Sequence, residues 1–332
     1  MSDSTASNRI DPHAWLEDVT GDKPLAWARQ QNARTEAELA ADPGFAQLKA
    51  RLLEVLDSKE KIPGVEKIGD WYYNFWKDAQ HERGLWRRTT LDEYRKPQPQ
   101  WEIVIDLDAL GKAEGENWVW HGADCFKPGP GEVPRRCLVA LSRGGADADV
   151  TREFDLGTKQ WVKDGFLRPE SKGQLGWIDL DTVYVLTDFG KDASGLGSMT
   201  SSGYPRIVKQ WKRGTPMTSA TLVYECKPGD VSVYGFHDNS PGFERDFVGR
   251  APDFYSSELF LRGKDGALSK IDVPDSVSKD VHDEWLTLQL RDPWTVGGKT
   301  YRAKNFVIAT GSSVTPPGRF LALNVSGPSP DA

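Results

Sequence analysis

The histidines of this 332-residue chain are the first residues to examine for acid–base or nucleophilic chemistry. A Ser-His-Asp mechanism needs an imidazole within hydrogen-bond reach of a hydroxyl group, and a carboxylate that orients the imidazole. The chain has five candidates: His13, His81, His121, His237 and His282. Because each lies next to a turn or a strand end, we interpret all five as surface or structural residues.

Two of these histidines have acidic neighbours in the sequence, in His237-Asp238 and in His282-Asp283-Glu284. Successive side chains on a strand point to opposite faces of the sheet. We therefore predict that neither group forms a base–carboxylate pair.

A serine nucleophile of the hydrolase type would lie in a G-x-S-x-G turn between a strand and a helix. The sequence contains no such string. The nearest are Gly195-Leu196-Gly197-Ser198-Met199 and Gly311-Ser312-Ser313, and neither places a serine between two glycines at the right offsets. We assign no catalytic residue to this chain.

His121, Cys125 and Cys137 are the candidates for a metal site. Their H-x3-C-x11-C spacing matches no standard zinc pattern, and a fourth ligand is missing. The loop at residues 127–134 could bring the two cysteines together, but an odd number of cysteines, with Cys226, does not make a disulfide framework. We expect three free, mostly buried thiols and no metal ligands.

No phosphate-binding glycine loop is present, so we predict no cofactor. The short basic run Lys209–Arg213 is interpreted as a solvated strand end. Dense aromatic residues favour a packed core over a platform for sugars or peptides, because Trp71, Tyr73 and Phe75 alternate on one strand face. The other aromatic residues weighed in this way are Tyr72, Trp76, Trp118, Trp120, Trp285 and Trp294.

Composition narrows the class of protein. The chain has 42 Lys and Arg against 49 Asp and Glu, a net charge of −7, which argues against a nucleic-acid binder. No run of about 18 apolar residues is present, which excludes a membrane-spanning helix. Thirteen Trp, thirteen Phe and nine Tyr exclude bulk disorder. Residues 1–10 are polar, without the apolar core of a signal peptide, so we expect a disordered lead and a cytoplasmic protein.

Residues 11–64 are predicted to form a helical arm. Asp22 is the expected N-cap of the first helix, and Asp42-Pro43-Gly44 is expected to break it. A second helix then carries an apolar stripe and stops near Asp57-Ser58. The stripe consists of Phe45, Leu48, Leu52, Val55 and Leu56.

Residues 65–310 are predicted to be strands throughout, without an intervening amphipathic helix. The strands group into five units, each of about four strands, the content of one propeller blade. The units open near Gly69, Asn117, Leu175, Asp230 and Asp283. Residues 311–332 are rich in Gly, Ser and Pro, and we expect an irregular tail there.

Several motifs, in this order, resemble the prolyl oligopeptidase family of serine peptidases. They are Asp11-Pro12-His13-Ala14-Trp15-Leu16-Glu17-Asp18, the helices with Trp27 and Asn32, Gly69-Asp70-Trp71-Tyr72-Tyr73-Asn74-Phe75, Arg83-Gly84-Leu85-Trp86-Arg87-Arg88-Thr89, and Leu141-Ser142-Arg143-Gly144-Gly145-Ala146-Asp147 through Arg152-Glu153-Phe154-Asp155. The resemblance covers about residues 11–308. It implies a seven-bladed propeller that gates an α/β-hydrolase domain with a Ser, an Asp and a His.

The fold expected from the resemblance is therefore mainly β, an incomplete propeller of about five of seven blades after an N-terminal helical arm. In the intact enzyme this region would admit short peptides to the Ser-Asp-His site, and a hydrolase domain would be its partner. The chain alone is expected to be inactive, as a truncation, a frameshift product or a deliberately shortened chain. Two alternatives stay open: a stand-alone propeller that binds peptide or glycan, and an enzyme completed by a separately made hydrolase chain.

Overall fold

A computed structural model describes residues 11–18, 20–129 and 131–304, together with the backbone of two later strands, Phe306–Thr310 and Leu321–Ser326. The chain divides into two compact units, Met1–Ile62 and Pro63–Ala332. The predicted lead at residues 1–10 lies outside the described residues.

The first unit is helical, as predicted. It contains a short 3-10 turn, Ala14–Glu17, and two helices, α1 (Asp22–Ala40) and α2 (Pro43–Asp57). The prediction for Asp22 was wrong: Gly21 occupies the N-cap position, and Asp22 is the first helical residue, where its charge favours the helix N-terminus.

The segment expected to break the first helix separates the two helices, since α1 ends at Ala40, and it also starts the second. The carboxylate of Asp42 accepts a hydrogen bond from the backbone N–H of Gly44 (2.7 Å), and Pro43 occupies the first helical position, which needs no amide donor. The predicted end near Asp57-Ser58 is confirmed, because α2 ends at Asp57.

The apolar stripe of α2 is largely open to solvent. Leu48, Leu52 and Leu56 are 59%, 54% and 68% exposed. Burying one such side chain stabilises a protein by about 1.5–3 kcal/mol. The exposed leucines therefore form an apolar face on α2 whose burial against a partner would be favourable.

In the described part of the chain, the second unit contains five large antiparallel sheets and one two-stranded ribbon. Sheet 1 contains β1 (Glu66–Ile68), β2 (Trp71–Asp78), β3 (His81–Thr89) and β4 (Glu102–Asp106). Sheet 2 contains β5 (Trp118–Cys125), β6 (Arg136–Arg143), β7 (Asp149–Asp155) and β8 (Gln160–Trp161), and β9 (Leu167–Ser171) continues the outer edge along β7. Sheet 3 contains β10 (Gln174–Asp179), β11 (Thr182–Leu186), β12 (Ile207–Lys212) and β13 (Thr221–Glu225), with a 3-10 turn at Met217–Ser219.

Sheets 4 and 5 continue the pattern. Sheet 4 contains β14 (Ser232–Asp238), β15 (Arg245–Ala251), β16 (Glu258–Arg262) and β17 (Leu268–Lys270). Sheet 5 contains β18 (Ser278–His282), β19 (Trp285–Gln289), β22 (Phe306–Thr310) and β23 (Leu321–Ser326), and the ribbon of β20 (Trp294–Val296) and β21 (Lys299–Tyr301) is inserted after β19.

The predicted units match these sheets closely except at the end of the chain. The fifth unit was expected to open near Asp283, but it opens at Ser278, because the polar strand β18 lacks an apolar run that would reveal it. The tail predicted to be irregular contains β23, which pairs with β22. The Gly, Ser and Pro residues around it hid the alternating Leu321, Leu323 and Val325.

Each pair of successive sheets encloses an apolar cluster, and four such clusters are found among the described residues. Tyr73 and Trp86 of sheet 1 pack with Val139 of sheet 2, and Val233 of sheet 4 packs with Tyr184 of sheet 3. The predicted alternation of Trp71, Tyr73 and Phe75 into one core is confirmed. Sheets stacked face to face along the chain are the packing of a β-propeller.

Two helices inside the β region were missed, one of them a single turn. After β4, α4 (Leu107–Glu114) starts at an Asp106 cap, whose carboxylate accepts from the Ala109 amide (2.9 Å), and it ends at Gly115 in the left-handed conformation. Leu107 is fully buried. Because α4 is about two turns long, it is too short for an apolar periodicity to stand out in the sequence. A single turn, α3 (Leu91–Tyr94), follows β3.

The basic run at the end of β12 is not simply a solvated strand end. Arg213 donates two hydrogen bonds to the carboxylate of Glu153 in sheet 2, at 2.8 and 3.1 Å. The Glu153 side chain is fully buried, while that of Arg213 is 28% exposed. Burial opposes ionisation of Arg213, but the bonds to Glu153 outweigh it and raise the arginine pKa.

Within the part of the chain that the structure describes, no helix has the length and apolar character needed to cross a membrane.

This ion pair predicts a large effect of one substitution between sheets 2 and 3. Arg213→Ala removes the main cation from a buried carboxylate, so we expect it to lower the free energy of unfolding by about 3 kcal/mol. Urea denaturation measures the change. The neighbouring exposed Lys212→Ala is the matched control, with an expected change within about 0.5 kcal/mol. A loss below about 1 kcal/mol for Arg213→Ala would contradict the assignment.

Candidate functional site

A cleft of about 360 Å³ opens between the first strands of sheets 2 and 3. Its polar side chains come from His121 and Asp124 on β5, Asp149 on β7 and Gln174 on β10. Burial raises the pKa of Asp124, with Lys127 opposing the rise through its charge. The cleft therefore brings imidazole, carboxyl and amide side chains together.

The wall of this cleft is built on a buried arginine. Arg168 is fully buried and donates hydrogen bonds to Asp149, to the Thr151 hydroxyl (3.0 Å) and to the Ser171 carbonyl (2.8 Å). Burial lowers the pKa of Arg168, and the Asp149 carboxylate opposes that change. The arginine thus fixes the positions of Asp149 and Thr151.

His121 completes this group, because its Nδ1 lies 3.3 Å from Asp149 Oδ2. A hydroxyl lies beside this pair, that of Thr151, and it donates to Asp149 Oδ1 (3.1 Å) rather than to the imidazole. A triad needs the hydroxyl proton to be directed at the imidazole. The arrangement orients a histidine but does not activate a nucleophile.

A second polar group joins sheets 3 and 4. His237 and Asp246 lie directly opposite each other on β14 and β15, with His237 Nδ1 3.2 Å from Asp246 Oδ1. Tyr184 of sheet 3 donates its hydroxyl to the same oxygen (2.8 Å), and Arg262 donates to Tyr184 (3.3 Å) and to Gln210 (2.9 Å).

The charges in this group shift each other's pKa values. The hydrogen bond to Asp246 raises the pKa of His237, although burial opposes the rise. Burial works against ionisation of Asp246, but its hydrogen bonds from His237 and Tyr184 lower its pKa. Burial and the nearby Asp246 raise the pKa of Tyr184. The hydroxyl of Tyr184 is therefore a donor over the physiological pH range.

The two sequence-adjacent pairs behave differently. Asp238 accepts from Arg245 (2.6 Å) and from Ser240 (2.7 Å), so the carboxylate that bonds to His237 is the cross-strand Asp246. His282, in contrast, has Nε2 3.5 Å from Asp283 Oδ2, since β18 ends at His282 and Asp283 adopts a left-handed turn conformation (φ 47°).

Strand alternation therefore did not separate His282 from Asp283. The contact is an exposed turn contact, with 77% of the histidine side chain accessible.

The remaining histidines have local roles. His81 Nδ1 lies 2.9 Å from Asp78 Oδ1 in the β2–β3 turn, where Asp78 also accepts from the Trp76 indole (2.9 Å). His13 is exposed at the N-cap of the first turn, and its amide donates to Asp11 (2.8 Å).

Ser198, the serine nearest to an elbow motif, serves the loop before β12. It is 2% exposed, donates to Asp188 (2.7 Å) and accepts from the Phe189 amide (2.7 Å). Ser312 and Ser313 lie outside the described residues.

The prediction of free thiols was wrong for two of the three cysteines and is confirmed for Cys226. Cys125 and Cys137 form a disulfide, because they occupy directly opposite positions at the ends of β5 and β6. Their sulfur atoms bond to each other, and His121 faces Asp149 instead, so the three candidates do not form a shared metal centre. Cys226 is free and buried, and burial together with Asp230 raises its pKa to about 12.

A second cavity, of about 340 Å³, was not predicted. It lies beside the connection between β15 and β16 and is lined in part by Phe254, Tyr255 and Arg291. Phe254 and Tyr255 are 81% and 73% exposed, and the Arg291 guanidinium lies 5.2 Å from the Tyr255 ring centre. Two adjacent aromatic residues in a Pro-Asp-Phe-Tyr-Ser-Ser loop were the available signal.

The stacking of five antiparallel sheets, with apolar clusters between them, makes the described second unit a β-propeller. A sequence profile of the prolyl oligopeptidase N-terminal β-propeller domain matches residues 1–240. The chain belongs to the prolyl oligopeptidase family.

The relatives that match this chain are larger proteins. An uncharacterized peptidase of Sinorhizobium fredii is 38% identical over 252 residues, which are 75% of this chain and 34% of that protein. An uncharacterized peptidase of Rickettsia prowazekii is 31% identical over 316 residues, 90% of this chain and 41% of that protein. The chain thus spans about a third to two-fifths of the length of these relatives.

Solved structures agree on the fold. A post-proline cleaving enzyme from Rickettsia typhi superposes with a TM-score of 0.79 at 29% identity, covering 92% of this chain and 46% of that enzyme. Oligopeptidase B from Leishmania major superposes with a TM-score of 0.59 at 14% identity, covering 91% of this chain and 45% of the other, which is a likeness of fold.

The His237 group predicts how stability depends on pH. The pKa of His237 is raised on folding, so its contribution is fully present below about pH 6.5, the unfolded value, and is lost as pH rises through the folded value. The stability difference between wild type and His237→Gln should therefore be larger at pH 5.5 than at pH 8.5. Urea denaturation at both pH values measures it, with Asp246 ionised throughout.

His282→Gln is the matched control for loss of an exposed imidazole, and its free energy of unfolding should stay within about 0.5 kcal/mol of wild type at both pH values. A difference for His237→Gln that stays constant or grows with pH would show that the contact with Asp246 does not stabilise the protonated imidazole.

Proposed function

We propose that this chain is the substrate-gating part of a serine peptidase that acts on short peptides, and that it does not hydrolyse peptides by itself. The observation that carries the proposal is the series of face-to-face sheets that matches the N-terminal propeller of the family. In the whole enzyme, the gate would exclude folded proteins from a Ser-Asp-His site in the hydrolase domain.

The gating proposal is supported by how the first strands of neighbouring sheets meet. Strands β10 and β14 contact each other, and Gln174 on β10 donates a hydrogen bond to the Gly235 carbonyl on β14 (3.4 Å). In a propeller, strands that converge in this way surround a central channel. Polar side chains such as His121 and Asp124 line the cleft beside them, which suits the passage of a hydrated peptide.

The proposed lack of activity is supported by the sheet topology. Every strand pairing in the described residues is antiparallel, whereas the α/β-hydrolase domain implied by the family resemblance would bring a parallel sheet with a nucleophile elbow. The buried Ser198 is engaged by Asp188 and the Phe189 amide.

The exposed face of α2 supports a hydrolase domain as the partner of this chain. Its leucines are more than half exposed at three successive turns, Leu48, Leu52 and Leu56. A contiguous apolar face of this kind marks a contact surface. We propose that the hydrolase domain, encoded with this chain or made separately, covers it.

A stand-alone binding module is the second candidate. The aromatic residues Tyr73 and Trp118, which would have formed a glycan platform, are 3% exposed and belong to the core. The exposed Phe254 and Tyr255 beside the 340 Å³ cavity are the observation that favours peptide binding. The DNA downstream distinguishes the two, because a hydrolase reading frame supports the peptidase.

The proposal predicts that the purified chain has no peptidase activity and no reactive serine. It should neither cleave a proline-containing chromogenic peptide nor become labelled by a fluorophosphonate probe, because the described residues present no activated serine. Mass spectrometry of the labelled chain provides the measurement. Modification of any serine above the level of a heat-denatured sample would refute the proposed inactivity.

Gating is tested with the chain joined to the proposed hydrolase domain. The joined protein should cleave a short proline peptide but leave a folded protein with accessible proline sites intact. The hydrolase domain prepared alone is the control. Equal cleavage of both substrates by the joined protein would overturn the gate while leaving the peptidase assignment in place.

The face of α2 predicts self-association of the isolated chain. Replacing Leu52 and Leu56 by Gln should shift the chain from larger species toward the monomer at the same concentration, as measured by size-exclusion chromatography with light scattering. Gln47→Ala, on the opposite side of the helix, should leave the distribution unchanged. A monodisperse wild-type monomer would show that this face does not drive association.

A further inference from the structure

The disulfide between Cys125 and Cys137 lies in the β5–β6 hairpin, at the end where the two strands meet their connecting loop. We call this end the hairpin base, because the loop starts from it. The two residues are direct partners in the strand register, with Cα atoms 3.9 Å apart. The next pair outward is hydrogen-bonded, since the Phe126 amide donates to the Arg136 carbonyl (2.8 Å). Cys137 is fully buried, whereas Cys125 is half-buried at the end of its strand.

The residues that flank this bond contact both neighbouring sheets. The Phe126 ring packs edge-to-face on Trp177 of sheet 3, with ring centres 5.7 Å apart. Pro134 lies so close to the β1–β2 turn of sheet 1 that a Cβ added to Gly69 would be 3.0 Å from its ring. The base of a hairpin in sheet 2 therefore supports contacts with sheets 1 and 3.

We propose that Cys125 and Cys137 form a reversible redox pair that fixes the base of the β5–β6 hairpin when oxidised and releases it when a dithiol reduces it. One thiolate of the dithiol attacks the sulfur of Cys125, the less buried of the two residues, and Cys137 leaves as a thiolate and takes up a proton. The second thiol of the reductant then attacks the mixed disulfide, releases Cys125 as a thiol, and closes the reductant into its own disulfide.

Reduction increases the volume that the two sulfur atoms occupy. Two unbonded sulfur atoms need more room than a bonded pair, and the fully buried Cys137 has none to offer. The displacement therefore falls on Cys125 and on Phe126 next to it. Contacts of this hairpin with sheets 1 and 3 then depend on the redox state, independently of whether a hydrolase domain is attached.

Cys226 does not take part in the exchange. It is buried directly after β13, in the apolar cluster between sheets 3 and 4, and its raised pKa keeps it protonated, whereas exchange requires a thiolate. The redox pair thus consists of Cys125 and Cys137, and Cys226 is counted as a free thiol in both redox states.

Trypsin reports the opening of the hairpin base. The bonds after Arg135 and Arg136 are protected in the folded chain, because the Arg135 carbonyl accepts from the Leu156 amide (2.8 Å) and Arg136 pairs with Asp155 in the register. Cleavage there requires local opening. Cleavage after Arg250, within β15 of sheet 4, reports opening elsewhere in the chain.

The experiment compares the chain oxidised with a small-molecule disulfide and the chain reduced with dithiothreitol. Thiol counting under denaturing conditions should give one and three free thiols, respectively. Reduction should raise the initial rate of cleavage after Arg135 and Arg136 at least tenfold, with less than a twofold change after Arg250, and reoxidation should restore the slow rate. The nicked oxidised chain should separate into two pieces only on reduction.

Two variants complete the test. Cys226→Ala should behave as wild type, and the double variant Cys125→Ser with Cys137→Ser should be cleaved at the reduced rate with or without dithiothreitol. Three free thiols after oxidation, equal cleavage rates in the two redox states, or an equal increase after Arg250 would overturn the proposal. The comparison of reduced and reoxidised wild type decides the matter even if the double variant does not fold.

Discussion

The second unit depends on the need of every sheet to cover two apolar faces. A four-stranded sheet with large side chains on both sides is not stable in water by itself, because its faces must be removed from solvent. Here each of the described sheets uses its neighbours in the chain for this purpose, as Trp86 and Val139 do between sheets 1 and 2. The stacking direction follows, and with it the convergence of β10 and β14 that the gating proposal uses.

Apolar packing alone would allow neighbouring sheets to slide, and buried charges define their positions. The Arg213–Glu153 pair joins sheets 2 and 3, and the Tyr184–Asp246 bond joins sheets 3 and 4. Removing one partner from such a pair leaves an uncompensated polar group in the interior, so a shifted arrangement is costly. Within sheet 2, Arg168 positions Asp149 in the same way.

Features set by local periodicity were predictable from the sequence. The alternation of Trp71, Tyr73 and Phe75 correctly predicted one core face, and the offsets of Leu48 and Leu52 correctly predicted α2. Features set by partners distant in sequence were not. In the sequence, Arg213 belongs to a basic run, and only the fold shows that its partner is Glu153, sixty residues earlier.

The same limit explains the errors in the candidate site. Cys125 and Cys137 have to be aligned across a hairpin before a disulfide can be recognised, and cysteine counting gives no register. His237 was correctly separated from Asp238 by alternation, but its partner Asp246 depends on the length of the β14–β15 turn. Alternation stopped applying at His282, where the strand ends and the backbone turns.

Each of sheets 1 to 4 is formed from strands that follow one another along the chain, with no strand supplied from a later sheet among the described residues. A ribosome therefore releases the strands in the order in which they pair, and each sheet has all its hydrogen-bonding partners once its own stretch has emerged. Pairing between near neighbours closes short loops and is fast. The growing chain exposes the outer faces of its first and its newest sheet, so the apolar surface open to aggregation during synthesis stays at two sheet faces as further sheets are added.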